Sequence, residues 1–340
     1  MEIMEVQGIK TMNQKSCTRA FSVLGIEFGI ISNTNSGVSD NEYFSSKSQL
    51  HSLLSNFRHI VDIPFTENHH AYIIINDYPA APFSIKTDNN LMMISGPITK
   101  LEQEISDKRE SIFGNMGILS KYIISILEYH GIFSFHSTSF FDPSSNRLYL
   151  VLGGSGAGKS TVLLAALEQN FQVFGTELTH ISIQNGKTIF HKGSLIQNCR
   201  VGNLVEDFPN LIQKLEIPEL PTANIWHSYR SVDLTAFAYP QEKIVDPALT
   251  IIFPKIESDR KVPEQFKVKQ NSLESKIFEN LCEKTSTQSY VYGIYFTPSL
   301  DTLESQQRRS EFARQFTKST RIEAVWKSLA NPHMCLMNIV

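Results

Sequence analysis

The chain is poor in cysteine. Its four cysteines, Cys17, Cys199, Cys282 and Cys335, are scattered over 340 residues. No two of them have CxxC spacing, and no histidine pair stands close to them. This usage argues against a disulfide framework and against a structural zinc site, and it favours a reducing, cytoplasmic compartment.

Neither sign of charge dominates, because 31 Lys and Arg almost balance 34 Asp and Glu and leave a formal net charge of −3. This balance offers no electrostatic reason to expect a nucleic-acid partner. Long apolar runs are also missing: the most apolar stretch, 118–135, carries Lys121, Glu128 and His130, and the N-terminus lacks a signal-peptide pattern. We therefore expect no membrane partner.

With 41% hydrophobic and 19% charged residues, the chain has the composition of a folded protein of about two domains. Its first part alternates short apolar segments with turns. Strands are predicted over 21–32, 71–75 and 91–95, and a loop over 32–46. Apolar residues four apart then predict a helix from 115 to 130. We expect a smaller β-rich α+β domain over 1–115 and an α/β domain with a mixed sheet over 116–340.

The second part mixes hairpins with helices. The turn residues at 142–146 and the pair Asn185-Gly186 predict hairpins, and a helix over 159–169 is expected to end at a left-handed Asn170. Further predictions are a strand over 249–253 closed by Pro254, a surface linker or exposed helix over 255–284, and one or two helices over 303–329. Arg308, Arg309, Arg314 and Lys318 predict a solvated basic face on the last of these.

One segment matches the phosphate-binding motif G-x-x-x-x-G-K-[ST]. It consists of Gly153, Gly154, Ser155, Gly156, Ala157, Gly158, Lys159, Ser160 and Thr161, between a predicted strand and a predicted helix. Small residues let successive backbone N–H groups converge on phosphate oxygens, and the start of the helix attracts the same anion. Lys159 would reach the β- and γ-phosphates of ATP, and Ser160 would ligate Mg²⁺.

In many such proteins an Asp at the end of an apolar strand holds the metal. Here the apolar strand predicted over 249–253 is followed by Pro254 and Lys255 instead. The nearest candidate is Glu177, just after a predicted strand that could return beside the motif. A second candidate is His136, on the strand that the 142–146 turn folds back beside the motif's own strand. Each has an ordinary alternative: a surface glutamate in a turn, and a histidine that packs or hydrogen-bonds within a sheet.

Three segments together resemble the HPr kinase/phosphorylase-like branch of P-loop proteins, which is related to phosphoenolpyruvate carboxykinases. They are Phe135-His136-Ser137-Thr138, Leu152 to Thr161, and Phe174-Gly175-Thr176-Glu177-Leu178. In that branch a histidine precedes the loop and an Asp-Asp pair follows the next strand. His136 matches the histidine and Glu177 the second Asp, whereas Thr176 stands where the first would be. The resemblance covers about 132–192.

This resemblance implies a kinase directed at serine, in which one carboxylate accepts the proton of the attacking hydroxyl and the acidic group helps to hold Mg²⁺. We therefore expect an ATP- and Mg²⁺-dependent kinase whose acceptor is a serine of a peptide or protein, free serine or another small alcohol. Glu177, His136 and Lys159 would be catalytic, and Ser160 with Glu177 would hold the metal. The oligomeric state, including a homo-oligomer, is left open.

Two other functions stay open. Thr176, in place of an acid, motivates a nucleotide-binding regulator or sensor that has lost catalysis. The related fold motivates a carboxykinase-like lyase, which is less favoured because no site for a second metal is evident.

Weaker features complete the pattern. Arg200 and Arg230 border the acceptor site by analogy with the family, although surface ion pairs are the more usual role of such arginines. The acidic pair Glu206-Asp207 is interpreted as a solvated helix start, and His69-His70 as part of a loop rather than a metal site.

Overall fold

We describe a computed structural model of the chain over residues 16–34, 54, 57–107, 110–114, 117–287 and 290–337. The architecture is mixed α/β with mixed sheets. The chain divides into two compact units, Met1–Ile126 with Gln288–Leu300, and Leu127–Thr287 with Asp301–Val340. Within the described ranges, no helix combines the length and the apolar character needed to cross a bilayer.

The elements are numbered in chain order. The strands are β1 Ser16–Val23, β2 Ile26–Thr34, β3 Ile60–Ile63, β4 Ala71–Asp77, β5 Ser84–Asp88, β6 Leu91–Gly96, β7 Ile132–Asp142, β8 Arg147–Leu152, β9 Gln172–Gly175, β10 Leu178–Gln184, β11 Lys187–His191, β12 Ile196–Arg200, β13 Tyr229–Asp233, β14 Lys243–Val245, β15 Ala248–Ile256, β16 Glu264–Lys267, β17 Tyr290–Val291, β18 Tyr295–Phe296 and β19 Ile322–Ala330. The helices are α1 Ile98–Glu104, α2 Ile118–Tyr129, α3 Lys159–Glu168, α4 Pro209–Lys214, α5 Gln270–Ser286 and α6 Leu303–Ser319.

In the first unit, the described strands form a sheet in the order β3-β1-β2-β4-β6-β5, with β2, β4 and β6 parallel. The strands predicted over 71–75 and 91–95 and the helix α2 are confirmed. The single strand predicted over 21–32 is wrong. Leu24 and Gly25 have φ of 52° and 86°, and this tight turn folds β2 back onto β1. Because apolar residues flank the turn on both sides, hydropathy did not reveal it. Most of the predicted loop over 32–46 lies outside the described residues.

In the second unit, the described strands form a nine-stranded sheet in the order β14-β11-β10-β7-β8-β15-β19-β16, with β9 also paired to β7. β8, β15 and β19 run parallel. Residues from α3 and α4 pack in a core cluster with Phe140 on β7. Residues from α5 and α6 pack in a second cluster with Phe133 and Phe135 of the same strand. Because side chains alternate along a strand, the sheet carries a helix layer on each face.

Short-range predictions in this unit are confirmed. Asn146 lies in the turn between β7 and β8, and Asn185-Gly186 joins β10 to β11 with both φ values positive. Asn170, with φ of 63°, follows α3 in the left-handed conformation. Each of these turns depends on the tolerance of Asn or Gly for a positive φ, a local property that needs no tertiary contact.

Predictions over longer segments are corrected. The segment 255–284 is not a surface linker, because it completes β15, forms β16 and then forms α5, which buries Leu273, Ile277 and Leu281. Pro254 does not close its strand: β15 pairs with β19 through Ile256, and proline is tolerated there because the pairing with β8 has already stopped. The helix predicted up to 329 ends at Ser319, since the chain beyond it enters the sheet as β19.

Arg309 does not belong to a solvated face, although Arg314 and Lys318 are exposed as expected. Its side chain is fully buried. Its Nε donates to a Glu128 carboxylate oxygen at 3.0 Å, and its Nη1 donates to Asp301 Oδ1 at 2.8 Å. Two acids, one near the end of α2 and one in the loop before α6, therefore compensate one buried guanidinium, an arrangement that charge spacing along α6 could not show.

Candidate active site around the glycine-rich loop

The glycine-rich loop, residues 153–158, joins β8 to α3. Gly156 and Gly158 have φ of 78° and 100°, a region that other residues rarely adopt. A Cβ on Gly158 would lie 2.3 Å from Ile256 Cγ1, so a side chain there would also collide with β15. Residues 154–156 are exposed. The loop thus takes a tight turn that requires glycine and opens to solvent just before the helix.

Lys159 and Ser160 form the first turn of α3, where no described side chain caps the helix. The Lys159 ammonium folds back over the loop and donates to the backbone oxygens of Gly153 at 2.6 Å and Gly154 at 3.0 Å. Burial lowers its pKa, against the opposing influence of nearby carboxylates. Ser160 Oγ accepts a hydrogen bond from Gln197 Nε2 of β12 at 3.1 Å. The motif's cation and hydroxyl therefore stand together at one helix end.

His136 lies on β7, as predicted, and a side chain from α5 holds its backbone. β8 pairs with β7 only as far as Leu152 opposite Ser137, so it turns away before it reaches His136. Asn280 takes over there: its Oδ1 accepts from His136 N at 3.1 Å and its Nδ2 donates to His136 O at 3.0 Å. This two-point contact brings α5 to the end of β8 where the glycine-rich loop begins.

Glu177 lies in the break between β9 and β10, where its backbone oxygen still accepts from Ser137 N at 3.1 Å. Its Oε1 is 3.4 Å from His136 Nε2 and 2.5 Å from Lys284 Nζ. Burial acts to raise the pKa of this carboxyl, but the hydrogen bond from His136 and the charge of Lys284 outweigh it and hold the pKa well below the usual value. Glu177 is therefore an ionised group beside the histidine.

The structure adds two residues that the sequence analysis missed, Glu283 and Lys284 at the end of α5. Glu283 Oε1 lies 2.7 Å from His136 Nδ1, off the axis of a straight hydrogen bond. It also lies 3.8 Å from the point where a Cβ on Gly154 would stand. Burial acts to raise the pKa of Glu283, and the His136 contact leads the influences that lower it overall. The helical spacing of Leu273, Ile277 and Leu281 was a signal that this segment packs inward.

Thr176, the residue before Glu177, does not face His136 and the two carboxylates around it. Its Oγ1 lies 2.9 Å from Ser194 O and 2.8 Å from Ile196 O, and the residue is buried. The hydroxyl is therefore committed to main-chain carbonyl groups, and its role is to join the end of β9 to the chain that leads into β12.

The weaker candidates lie apart from these contacts. Arg200 donates to the Tyr229 hydroxyl at 3.0 Å on an exposed face. Arg230 lies opposite Cys199 in the antiparallel pair of strands β12 and β13. Glu206 and Asp207 belong to a short π-helix, Asn203–Asp207, that precedes α4. His69-His70 lies in a loop of the first unit, as interpreted from the sequence. Among the residues that the structure describes, no group of three or more His, Cys, Asp or Glu side chains is arranged to hold a metal ion.

The site consists of a glycine-rich loop, two lysines, two carboxylates and one imidazole. No protein-family model matches the chain, and no curated protein matches it at significant similarity.

Proposed function

We propose that the second unit is an ATP- and Mg²⁺-dependent kinase with an HPr kinase-like P-loop fold, which transfers the γ-phosphoryl group to a hydroxyl. The acceptor would be a serine of a peptide or protein, free serine or another small alcohol. The observation that carries this proposal is the meeting of Glu177 and His136 beside the lysine-bearing start of α3. An anion cradle and an acid-base cluster in one place are what phosphoryl transfer to a hydroxyl requires.

The glycine-rich loop and α3 would bind the phosphates. An exposed, tight glycine turn followed by a helix start without a side-chain cap is the kind of backbone that binds an anion. Lys159 would leave the two loop carbonyl groups that it contacts and move to the β- and γ-phosphates, since an ammonium gains more from a phosphate than from neutral oxygens.

Glu177 would receive the proton. The acceptor oxygen forms a bond to the γ-phosphorus while the bond to the β–γ bridging oxygen breaks, the electron pair leaves with ADP, and the hydroxyl proton passes to the Glu177 carboxylate. A carboxylate with a depressed pKa is a weak base, but this transfer demands little of its base because positioning and charge neutralisation supply most of the catalysis. His136, 3.4 Å from the carboxylate, would orient it.

The donors at the site fit Mg²⁺. Ser160 offers a half-buried hydroxyl and Glu177 a carboxylate that is 32% exposed. Mg²⁺ takes few protein oxygens and completes its shell with water and phosphate. Bound there, the ion would neutralise charge on the phosphates.

A second candidate function is a nucleotide-binding regulator without catalysis. The specific observation in its favour is the Lys284–Glu177 ion pair at 2.5 Å, which engages the carboxylate that the kinase needs. In the kinase this pair would have to loosen when a phosphate, which also accepts charge-assisted hydrogen bonds from an ammonium, enters the site.

The test compares wild type with Glu177→Gln, using titration calorimetry for ATP binding with Mg²⁺ and labelled ATP for transfer to peptide serine, free serine and small alcohols. We expect the variant to bind ATP and to lose transfer by about 10²-fold or more. Glu279→Gln, an exposed position on α5, is the matched control and should behave as wild type. Transfer that persists in Glu177→Gln would remove Glu177 from the mechanism, and wild-type binding without transfer to any acceptor would favour the regulator.

A further inference from the structure

The site holds a second carboxylate, Glu283, which comes from α5 and not from the β9–β10 break that carries Glu177. Resting on the function proposed above, we propose that Glu283 is a positioning residue that holds His136 by its Nδ1 side, so that its Nε2 side faces Glu177. The two acids of the site then stand on either side of one imidazole, one from the β9–β10 break and one from α5.

The contacts define a row of three side chains. Glu283 Oε1 lies 2.7 Å from Nδ1, and Glu177 Oε1 lies 3.4 Å from Nε2 of the same ring. The His136 side chain is 8% exposed, so its ring has little contact with solvent. A flip of the ring by 180° about Cβ–Cγ would place Cδ2 and Cε1 where Nδ1 and Nε2 now stand, so both contacts would be lost. A carboxylate that engages one nitrogen therefore decides which atom the other side presents.

The backbone around this row is built to deliver Glu283. Asn280 binds both backbone groups of His136, and Glu283 follows it by three residues on α5. Residues three apart lie on the same helix face, so the clamp on the strand and the carboxylate on the ring act from one surface. The apolar residues Leu273, Ile277 and Leu281 anchor that surface in the core. Glu283 therefore stands on a helix face that is fixed in the core, a support that a surface ion pair would not need.

Thr176, which precedes Glu177, does not take part in this row. Its hydroxyl faces the backbone oxygens of Ser194 and Ile196 and its side chain is buried, so this position does not present a group to the imidazole. Glu283 reaches the ring from the opposite side instead. Glu177 and Glu283 come from separate parts of the chain, so only tertiary packing brings them to the same imidazole.

The alternative is that Glu283 only stabilises the fold. A double-mutant cycle separates the two, because residues that act through one another lose activity in a non-additive way. The variants are Glu283→Gln, His136→Asn and the double variant, with Glu279→Gln as the control for loss of a negative charge on the same helix. For each, kcat and KM for the acceptor, the Kd for ATP and the melting temperature are measured.

If Glu283 positions His136, Glu283→Gln lowers kcat by about 10- to 100-fold, while KM and Kd stay close to wild type. The double variant is then no slower than His136→Asn alone, and Glu279→Gln is unaffected. Glu283→Asp, which keeps the charge and shortens the side chain, recovers part of kcat and remains informative should Glu283→Gln fold poorly.

The proposal is overturned if Glu283→Gln keeps the wild-type kcat, or if the double variant loses the product of the two single losses. These outcomes leave the kinase intact, because wild-type turnover is measured in the same assay. A wild-type chain without acceptor-dependent turnover overturns the kinase and, with it, this role of Glu283.

Discussion

Asn280 offers a direct test of how α5 is held against the sheet. Its side-chain amide makes both of its hydrogen bonds to the backbone of one residue, His136, at 3.1 and 3.0 Å. Both partners are buried, and β8 has already turned away at this point. Replacement by alanine therefore leaves a buried N–H and a buried C=O without their partner.

The magnitude follows from these two groups. A buried polar group deprived of its partner costs about 1–3 kcal/mol, and some relaxation or entry of water offsets part of the sum. Alanine returns about 0.5 kcal/mol through its higher helix propensity. We therefore expect Asn280→Ala to lower the free energy of unfolding of the second unit by about 2–4 kcal/mol.

Urea unfolding followed by tryptophan fluorescence measures this effect selectively, because both tryptophans of the chain, Trp226 and Trp326, belong to the second unit. Asn271→Ala, at an exposed position on the same helix, makes the same chemical change and should stay within about 0.5 kcal/mol of wild type. Equal midpoints for Asn280→Ala and Asn271→Ala, with unchanged slopes, would refute the argument that this amide secures α5 to β7.

Three further predictions use the same unfolding assay. Arg309→Met should destabilise the second unit by about 3–5 kcal/mol, because it leaves two acids without their buried counter-ion. Arg308→Met, at the more exposed neighbouring position, should cost less than about 1 kcal/mol. Similar losses in the two variants would contradict the burial of the Arg309 ion pairs. Thr176→Asp should lower the free energy of unfolding of the second unit by about 3 kcal/mol, because its carboxylate would face two main-chain oxygens; a variant as stable as wild type would contradict this. Because the folded-state pKa of Glu177 is depressed, its ionised form stabilises the fold above the ordinary glutamate pKa and loses that contribution as the pH falls through the folded-state pKa. The difference in unfolding free energy between wild type and Glu177→Gln should therefore shrink from about pH 7 to about pH 3, and a constant difference would exclude the linkage.

Features that depend on adjacent residues were predictable. The turns at 142–146 and 185–186 and the left-handed Asn170 follow from steric preferences of Asn and Gly, and the structure has them. His136 on a strand and Glu177 just after one were also placed correctly by pattern. The hairpin turn at Leu24-Gly25 escaped because its neighbours are apolar on both sides, so composition did not mark a break.

Features that depend on distant residues were not predictable from the pattern. The segment 322–330 became β19 because it pairs with β15 and β16, and Arg309 became buried because Glu128 and Asp301 converge on it. Local charge and propensity do not reveal these partners. The strands β15 and β16 and the residue Glu128 lie far away along the chain, and Asp301, 8 residues before Arg309, contacts it from the loop before α6.

The sequence by itself determined the glycine-rich loop, Lys159, and the candidates His136 and Glu177, because each was found from residue types at short, fixed spacings. Only the tertiary structure decided what surrounds them. Glu283 and Lys284 reach His136 and Glu177 because α5 packs its apolar stripe on the sheet and Asn280 sets its position beside β7. Tertiary packing determines which charged residues come into contact when they are more than a hundred residues apart, so their spacing along the chain does not predict the contact.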